Sequence, residues 1–217
     1  MANTIYGVFG ASGFGREVMP LLRTYVEKND PQAECVFVDD QPPSDSLNGC
    51  RCLTLDAFVE HDAVSKKITL AIANSVIREA LTKRCTEAGI QFIDVRADNI
   101  VQLDAVEIGV GAILCPFVTL TSNIHIGQQF HANIYSYVAH DCVIGDYVTL
   151  APSAKCNGNV VIEDHAYIGT GAILKQGKPG EPLVIGKGAV VGMGAVVTKS
   201  VPAGVTVVGN PAKPLVR

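Results

Sequence analysis

The sequence predicts a two-part fold, a small α/β domain with a parallel sheet followed by an all-β parallel solenoid, from a period, an alternation and a composition shift. The period is six. Reading one residue in six gives Ile108, Leu114, Leu120, Ile126, Ala132, Val138, Ile144, Leu150, Cys156, Ile162, Ile168 and Leu174, without a charged residue. Two places before each stands a second series running from Val106 to Ala172, mostly small or β-branched. An amphipathic helix repeats at 3.6 and a half-buried strand at 2, so a sustained six fits neither; it fits short strands joined by turns and stacked as a solenoid. The alternation lies between Thr4 and Val95, where strand-like and helix-like stretches follow one another. At Ala97 the composition shifts toward Val, Ile, Gly and Ala, which sets the expected domains at residues 1–96 and 97–217.

In chain order, Thr4–Phe9 reads as a buried strand, followed by GASGFGRE and a helix with apolar residues at Val18, Leu21, Leu22 and Val26. A second strand is expected over Cys35–Val38, ending at Asp39 and Asp40; a loop rich in Pro, Ser, Asp and Gly follows, then a helical patch at Leu55–Val59. Ile68–Ala73 is the third expected strand, Ser75–Ala88 a helix, and Gln91–Val95 the fourth strand. Strands alternating with helices call for a small parallel sheet of Rossmann type.

The six-residue run resembles the hexapeptide-repeat acyltransferases. That likeness implies three units per triangular coil, wound left-handed, against the usual hand of parallel crossovers. The six-fold residue then points into the bore, and successive coils stack about 4.8 Å apart.

Composition excludes several classes. With 48% apolar and 18% charged residues the chain is not a disordered tail, and the low charged fraction favours an oligomer. A net charge of −4 with pI near 5.7 argues against nucleic acid or an anionic membrane as partner. No basic segment followed by an apolar run opens the sequence and no run of about 20 apolar residues occurs, so a cytoplasmic protein without membrane insertion is expected. Seven cysteines show no metal-like pairing beyond Cys50-x-Cys52; Cys142 and Cys156 fall on the inward series as buried thiols.

Gly10, Gly13 and Gly15 form G-x-x-G-x-G between a strand and a helix, where glycines let the backbone approach a phosphate and the helix N-terminus favours negative charge. A nicotinamide dinucleotide is the default ligand of such a loop, yet about 95 residues make one mononucleotide-binding half, and dinucleotide folds use two. A nucleoside diphosphate carrying a small group suits the domain better, and a bare strand-to-helix turn is the alternative. Asp39 and Asp40 at the end of the second strand can accept from a ribose or a base. Asn74 and Arg78, the latter on an exposed helix face, follow the third strand at the same edge.

The chemistry is expected at SYVAHDCVIGDY. His140 stands two places after the inward Val138 and so projects from a corner, and eighteen residues on, one coil later, the same position is Gly158. An imidazole with an exposed amide donor one layer away suits acyl transfer: the ring takes the proton of the attacking amine and the amide holds the oxyanion. Asp141 can fix the tautomer and stabilise the imidazolium. His125 and His131 are six apart and point to different sides of the coil, and His140 and His165 are not in register; no metal site is expected, and His125, His131 and His165 read as turn or interface residues.

Over nearly its whole length the chain resembles the bacterial nucleotide-sugar N-acetyltransferases of the bacillosamine and perosamine pathways, grouped with sialic acid O-acetyltransferases. The motifs are GASGFGRE, FVDD, AIANSVIR, FHANIYSYVAHDCVIGDYV, AKCNGN, GMGAVVTKSVP and GNPAK. Residues 130–148 most resemble the perosamine branch. The resemblance implies acetyl transfer from acetyl-CoA to the amine of a nucleotide-linked 4-amino-4,6-dideoxy sugar such as GDP-perosamine, for surface polysaccharide. It implies a homotrimer with active sites between subunits, His140 as base and Asp141 as its partner. Ser12, Gly13, Phe14, Asp39, Asp40 and Ala73 match nucleotide-sugar contacts and Asn133 a residue beside the amine; Gly158, Thr170 and Met193 match acetyl-CoA contacts. Thr149 stands where the bacillosamine enzyme has a histidine near the thioester carbonyl, and Phe14 where it has another near the phosphates. A sugar O-acetyltransferase and a non-catalytic nucleotide-sugar-binding protein are the alternative readings.

The repeat breaks between Leu174 and Ile185, where KQGKPGEPLV reads as a loop thrown from a corner that can cover the coenzyme. The terminal GNPAK is expected to fold back over the last coils, with Lys213 available for a coenzyme phosphate or acting within a plain cap.

Overall fold

The computed structural model describes residues 4–215; residues 1–3 and 216–217, the outermost ends of the two expected domains, lie outside it. The chain divides into two compact units, Met1–Arg96 and Ala97–Arg217.

In the first unit, β1 (Thr4–Phe9), β2 (Glu34–Val38), β4 (Cys50–Leu53), β5 (Ser65–Leu70) and β6 (Gln91–Phe92) form a parallel sheet, and β3 (Ser46–Leu47) pairs antiparallel with β4, giving the order β3-β4-β2-β1-β5-β6. Helices α1 (Gly13–Asn29), α2 (Leu55–Glu60) and α3 (Ser75–Glu87) complete it. β1 is buried along its whole length, as a central strand of a covered parallel sheet must be. α1 turns Val18, Met19, Leu22 and Val26 inward.

The structure departs from the sequence reading in three places. The segment expected to be a loop contains the β3–β4 hairpin, whose turn residues Asn48 and Gly49 both have positive φ, 50° and 79°, as a two-residue type I′ hairpin requires. The third strand ends at Leu70, leaving residues 71–74 as a connection, and the fourth strand is only Gln91–Phe92.

The second unit is a left-handed parallel β-helix. Its strands pair at a fixed offset of eighteen, as in Ile113↔His131↔Thr149↔Tyr167 (131 − 113 = 18) and Thr119↔Tyr137↔Lys155↔Ile173, so three six-residue units make each coil. Three sheets form the faces: the first carries His131–Ala132, the second Tyr137–Val138, the third Cys142–Ile144. From Leu114 to Leu174 the six-fold residues are all buried and form one continuous core. Each such Leu or Ile contributes about 1.5–3 kcal/mol by burial.

Every sixth residue from Ala105 to Gly171 has positive φ, most of them not glycine, including Asn123, Asp141 and Asn159 at 55–57°. This left-handed residue turns each corner, and its N–H reaches the previous coil: Asp141 N donates to Ser122 O at 3.1 Å and Asn159 N to His140 O at 3.0 Å. Beyond Leu174 the offset becomes 23 (190 − 167 = 23), so five residues are inserted, and the insertion closes on itself through Lys178 and Glu181. At the end, Lys213–Pro214 pairs antiparallel with Thr206–Val208, so the tail does fold back on the last coil.

The glycines of the first loop differ in what they must do. Gly10 sits at φ 109°, and a Cβ at Gly15 would overlap the Gly10 carbonyl, whereas a Cβ at Gly13 meets nothing within 4 Å. Gly15→Ala is therefore expected to destabilise the first unit by about 1–3 kcal/mol, and Gly13→Ala to stay within about 0.5 kcal/mol; denaturant unfolding followed by circular dichroism checks the contrast.

Candidate active site

His140 lies at the corner between the second and third faces, immediately before the left-handed Asp141. That turn carries the Asp141 side chain back toward its neighbour: His140 Nδ1 is 2.7 Å from Asp141 Oδ2. An ionised carboxylate only accepts, so Nδ1 holds the proton and Nε2 presents its lone pair. The imidazole is 48% exposed, and among the described residues Nε2 has no hydrogen-bond partner. Asp141 also accepts from Asn123 Nδ2 at 3.2 Å. The His140 contact foremost, and Asn123 after it, hold the Asp141 carboxyl below its ordinary value. A carboxyl depressed in this way keeps its charge, and its contribution, above the ordinary value and loses them only as pH falls through the lowered one.

Gly158 lies one coil beyond, against the imidazole. A Cβ there would sit 2.5 Å from His140 Cε1 and 2.6 Å from Nε2. Its N–H finds no acceptor among the described residues, although Asn159 N and Gly177 N on either side complete the coil ladder. The corner therefore brings a base and an unengaged amide donor together, the pair that acyl transfer needs. Beside them Tyr137 Oη donates to Asn157 Oδ1 at 2.7 Å and Asn157 Nδ2 to Leu174 O at 2.7 Å, which fixes the residue preceding Gly158. Behind them in the bore Cys142 Sγ donates to Asn157 O at 3.2 Å. Asn123, Tyr137 and Asn157 were not among the residues read from the sequence. The spacing of eighteen that pairs His140 with Gly158 also pairs Asn123 with Asp141, so this signal was available for Asn123.

In the first unit the expected residues meet at the C-terminal edge of the sheet. Asp39 ties the glycine loop to the end of β2, taking Ala11 N on Oδ2 and Gln41 N on Oδ1, both at 3.0 Å. Asp40 receives both outer nitrogens of Arg84 at 2.8 and 3.0 Å, and this contact holds its carboxyl below the ordinary range. Asn74 Oδ1 caps α3 by accepting from Val76 N and Ile77 N. Arg78 is a correction: expected on an exposed helix face, it is 0% exposed and donates to Ile72 O at 2.6 Å, shaping the connection that contains Ala73. Ser12 makes no capping bond to α1, and a Cβ at Gly13 meets nothing within 4 Å, so the start of the helix has open space beside the Ser12 hydroxyl.

The remaining expected residues do not join His140 within one chain. Asn133, Thr170 and Met193 belong to the corner between the first and second faces, where Met193 is exposed. Thr149 is buried in a strand of the first face, between His131 and Tyr167. His131, read as a turn or interface residue, is a fully buried strand residue of that face. Lys213 is exposed in the terminal strand. No group of three or more His, Cys, Asp or Glu able to hold a metal occurs among the described residues.

Known proteins share this sequence and fold. Residues 7–85 match the family model described as the PglD N-terminal domain. Over 214 residues, 98% of this chain and 97% of the relative, the sequence is 52% identical to a GDP-perosamine N-acetyltransferase of Escherichia coli O157:H7. The chain belongs to that acetyltransferase family. Among solved structures, WeeI from Acinetobacter baumannii AYE superposes with TM-score 0.95 at 62% identity, covering 98% of this chain and 100% of that one. The acetyltransferase domain of PglB from Neisseria gonorrhoeae FA1090, in complex with acetyl coenzyme A, gives TM-score 0.86 at 28% identity over 98% and 100% of the two chains.

Two measurements test the corner. Gly158→Ala forces the imidazole aside while leaving the coil's hydrogen bonds, so kcat is expected to fall by about 10²-fold with thermal stability little changed. In His140→Ala the Asp141 carboxyl loses its principal partner, and carbon-detected NMR titration is expected to show it move up toward the ordinary 3.8.

Proposed function

We propose that this protein transfers the acetyl group of acetyl-CoA to the amine of a nucleotide-linked 4-amino-4,6-dideoxy sugar, GDP-perosamine being the first candidate, in the synthesis of a surface polysaccharide such as O-antigen. The His140–Asp141 pair laid over the Gly158 amide carries the reaction class. Likeness to the E. coli enzyme along nearly the whole of both chains supports the acceptor.

The amine must lose a proton to form the amide. As its nitrogen bonds to the thioester carbonyl carbon, the proton passes to His140 Nε2 and the imidazolium is stabilised by Asp141. The carbonyl oxygen becomes an oxyanion facing Gly158 N–H. Collapse restores the carbonyl, breaks the C–S bond and expels the CoA thiolate, which takes the proton from the imidazolium. Products are the acetamido sugar and free CoA.

We place the working site between copies of the chain in a homotrimer. The support is the division of the expected contacts: His140, Asp141 and Gly158 occupy one corner of the prism, Asn133, Thr170 and Met193 another, with the second face between them. One coil does not bring these corners together, whereas two prisms packed side by side would. The first unit holds the nucleotide in this reading, through the backbone around Gly13 and the Ser12 hydroxyl. Acetyl-CoA is a cytoplasmic metabolite, which puts the reaction in that compartment; no helix among the described residues is long and apolar enough to cross a membrane.

Thiol release from acetyl-CoA with a panel of GDP-, UDP- and dTDP-linked amino sugars tests the reading, with GDP-perosamine expected to be the best acceptor. His140→Ala is expected to lower kcat on the order of 10²- to 10⁴-fold with KM little changed. The acetylated product should survive hydroxylamine as an amide; release of acetyl by hydroxylamine would instead mean an ester and an O-acetyltransferase.

A further inference from the structure

We propose that Asn123 is a positioning residue for the catalytic base, acting through Asp141 from the coil below. The inference rests on the assignment of His140 as base. Asn123 and Asp141 stand eighteen residues apart at the same corner, both with φ 57°, so their side chains leave the backbone in the same direction one layer apart. Asn123 Nδ2 donates to Asp141 Oδ1 at 3.2 Å, and Asp141 Oδ2 is left to His140 Nδ1 at 2.7 Å.

A lone carboxylate beside an exposed imidazole can rotate about its terminal torsion, which is broad and close to two-fold. Anchoring one oxygen removes that freedom. The other oxygen then sets the plane of the imidazole and the direction of the Nε2 lone pair, across from Gly158. The amide also draws charge from the carboxylate, which keeps the shared proton on the ring through the transfer. The position accommodates such a residue because Asn adopts left-handed backbone more readily than most side chains.

The same geometry dictates the variants. Alanine would add backbone strain at positive φ, so Asn123→Gly is the substitution that removes the amide and leaves the turn relaxed. Asn123→Asp keeps a side chain that tolerates this backbone and replaces the donor with a charge facing Asp141. The other ionisable groups around Asp141 are His125 and Glu107, paired at 3.1 Å on the adjoining third face, and the Cys142 thiol in the bore; all are unchanged in both variants.

In Asn123→Gly, kcat is expected to fall about tenfold, the size of one lost hydrogen bond to a charged group. KM for both substrates should stay within about twofold, because a group acting in the transition state changes kcat rather than binding. The acidic limb of kcat/KM should move to higher pH, since the carboxylate regains charge density and stabilises the imidazolium more strongly, and it should move further in Asn123→Asp. In an Asp141→Asn background the Gly substitution should change kcat by less than about twofold, because its route to the base is already cut. Unchanged kcat in Asn123→Gly, an equal loss in the Asp141→Asn background, or a uniform fall with no movement of the acidic limb overturns the proposal. Full activity in His140→Ala would instead remove the base itself, an outcome separate from any of these.

Discussion

The left-handed residue at every corner is the constraint on which the rest of this structure depends. A six-residue unit closes a triangular coil only if the chain turns sharply once per unit, and here the turn is made by positive φ at every sixth position. For an ordinary L-residue that backbone costs roughly 1–2 kcal/mol. Two effects offset it. The turned N–H is satisfied by a carbonyl of the coil below, and the inward residue of each unit is fully buried in the core that runs from Leu114 to Val207. A coil that failed to turn would lose both together.

Fixing the coil at eighteen residues converts distance along the sequence into columns in space. His140 stands against Gly158, and Asp141 above Asn123, with no loop needed to bring them together. Catalytic groups in many enzymes are held by loops that must be ordered first; here the imidazole, its carboxylate and the opposing amide are parts of one ladder. Preorganised donors and acceptors of this kind spend little reorganisation at the moment of reaction. The inward Cys142 extends the effect, because its thiol bonds the carbonyl of the peptide unit whose N–H belongs to Gly158.

What was legible in the sequence was what repeats. The inward series announced the solenoid, and the strand–helix alternation announced the small sheet. The number of units per coil was not in the spacing, since a period of six gives the side and not the polygon; only the strand pairing gives eighteen. The β3–β4 hairpin was hidden by its polar composition, although Asn48-Gly49 carried its turn signal. Arg78 was misjudged because a helix periodicity places a charge without showing that backbone carbonyls at Ile72 and Ala73 await it. His131 looked like a turn residue, yet the same six-fold count that put Ala132 in the bore put His131 on the strand beside it.

The polar side chains at the edge of the first unit show how structure and recognition divide the work. Each oxygen of Asp39 already holds a backbone N–H, Asp40 is engaged by Arg84, Asn74 caps α3, and Arg78 is turned into the protein. These residues hold the loop ends together, and groups so committed are poor sensors of a base. What stays open is the space at Gly13 beside the Ser12 hydroxyl, and a helix start of this kind suits phosphate oxygens, which every nucleoside diphosphate shares. The sequence therefore reads as a nucleotide-sugar protein more readily than as a protein for one nucleotide: the part of the loop that motif analysis recognises is a glycine-rich helix start, which suits phosphates in general.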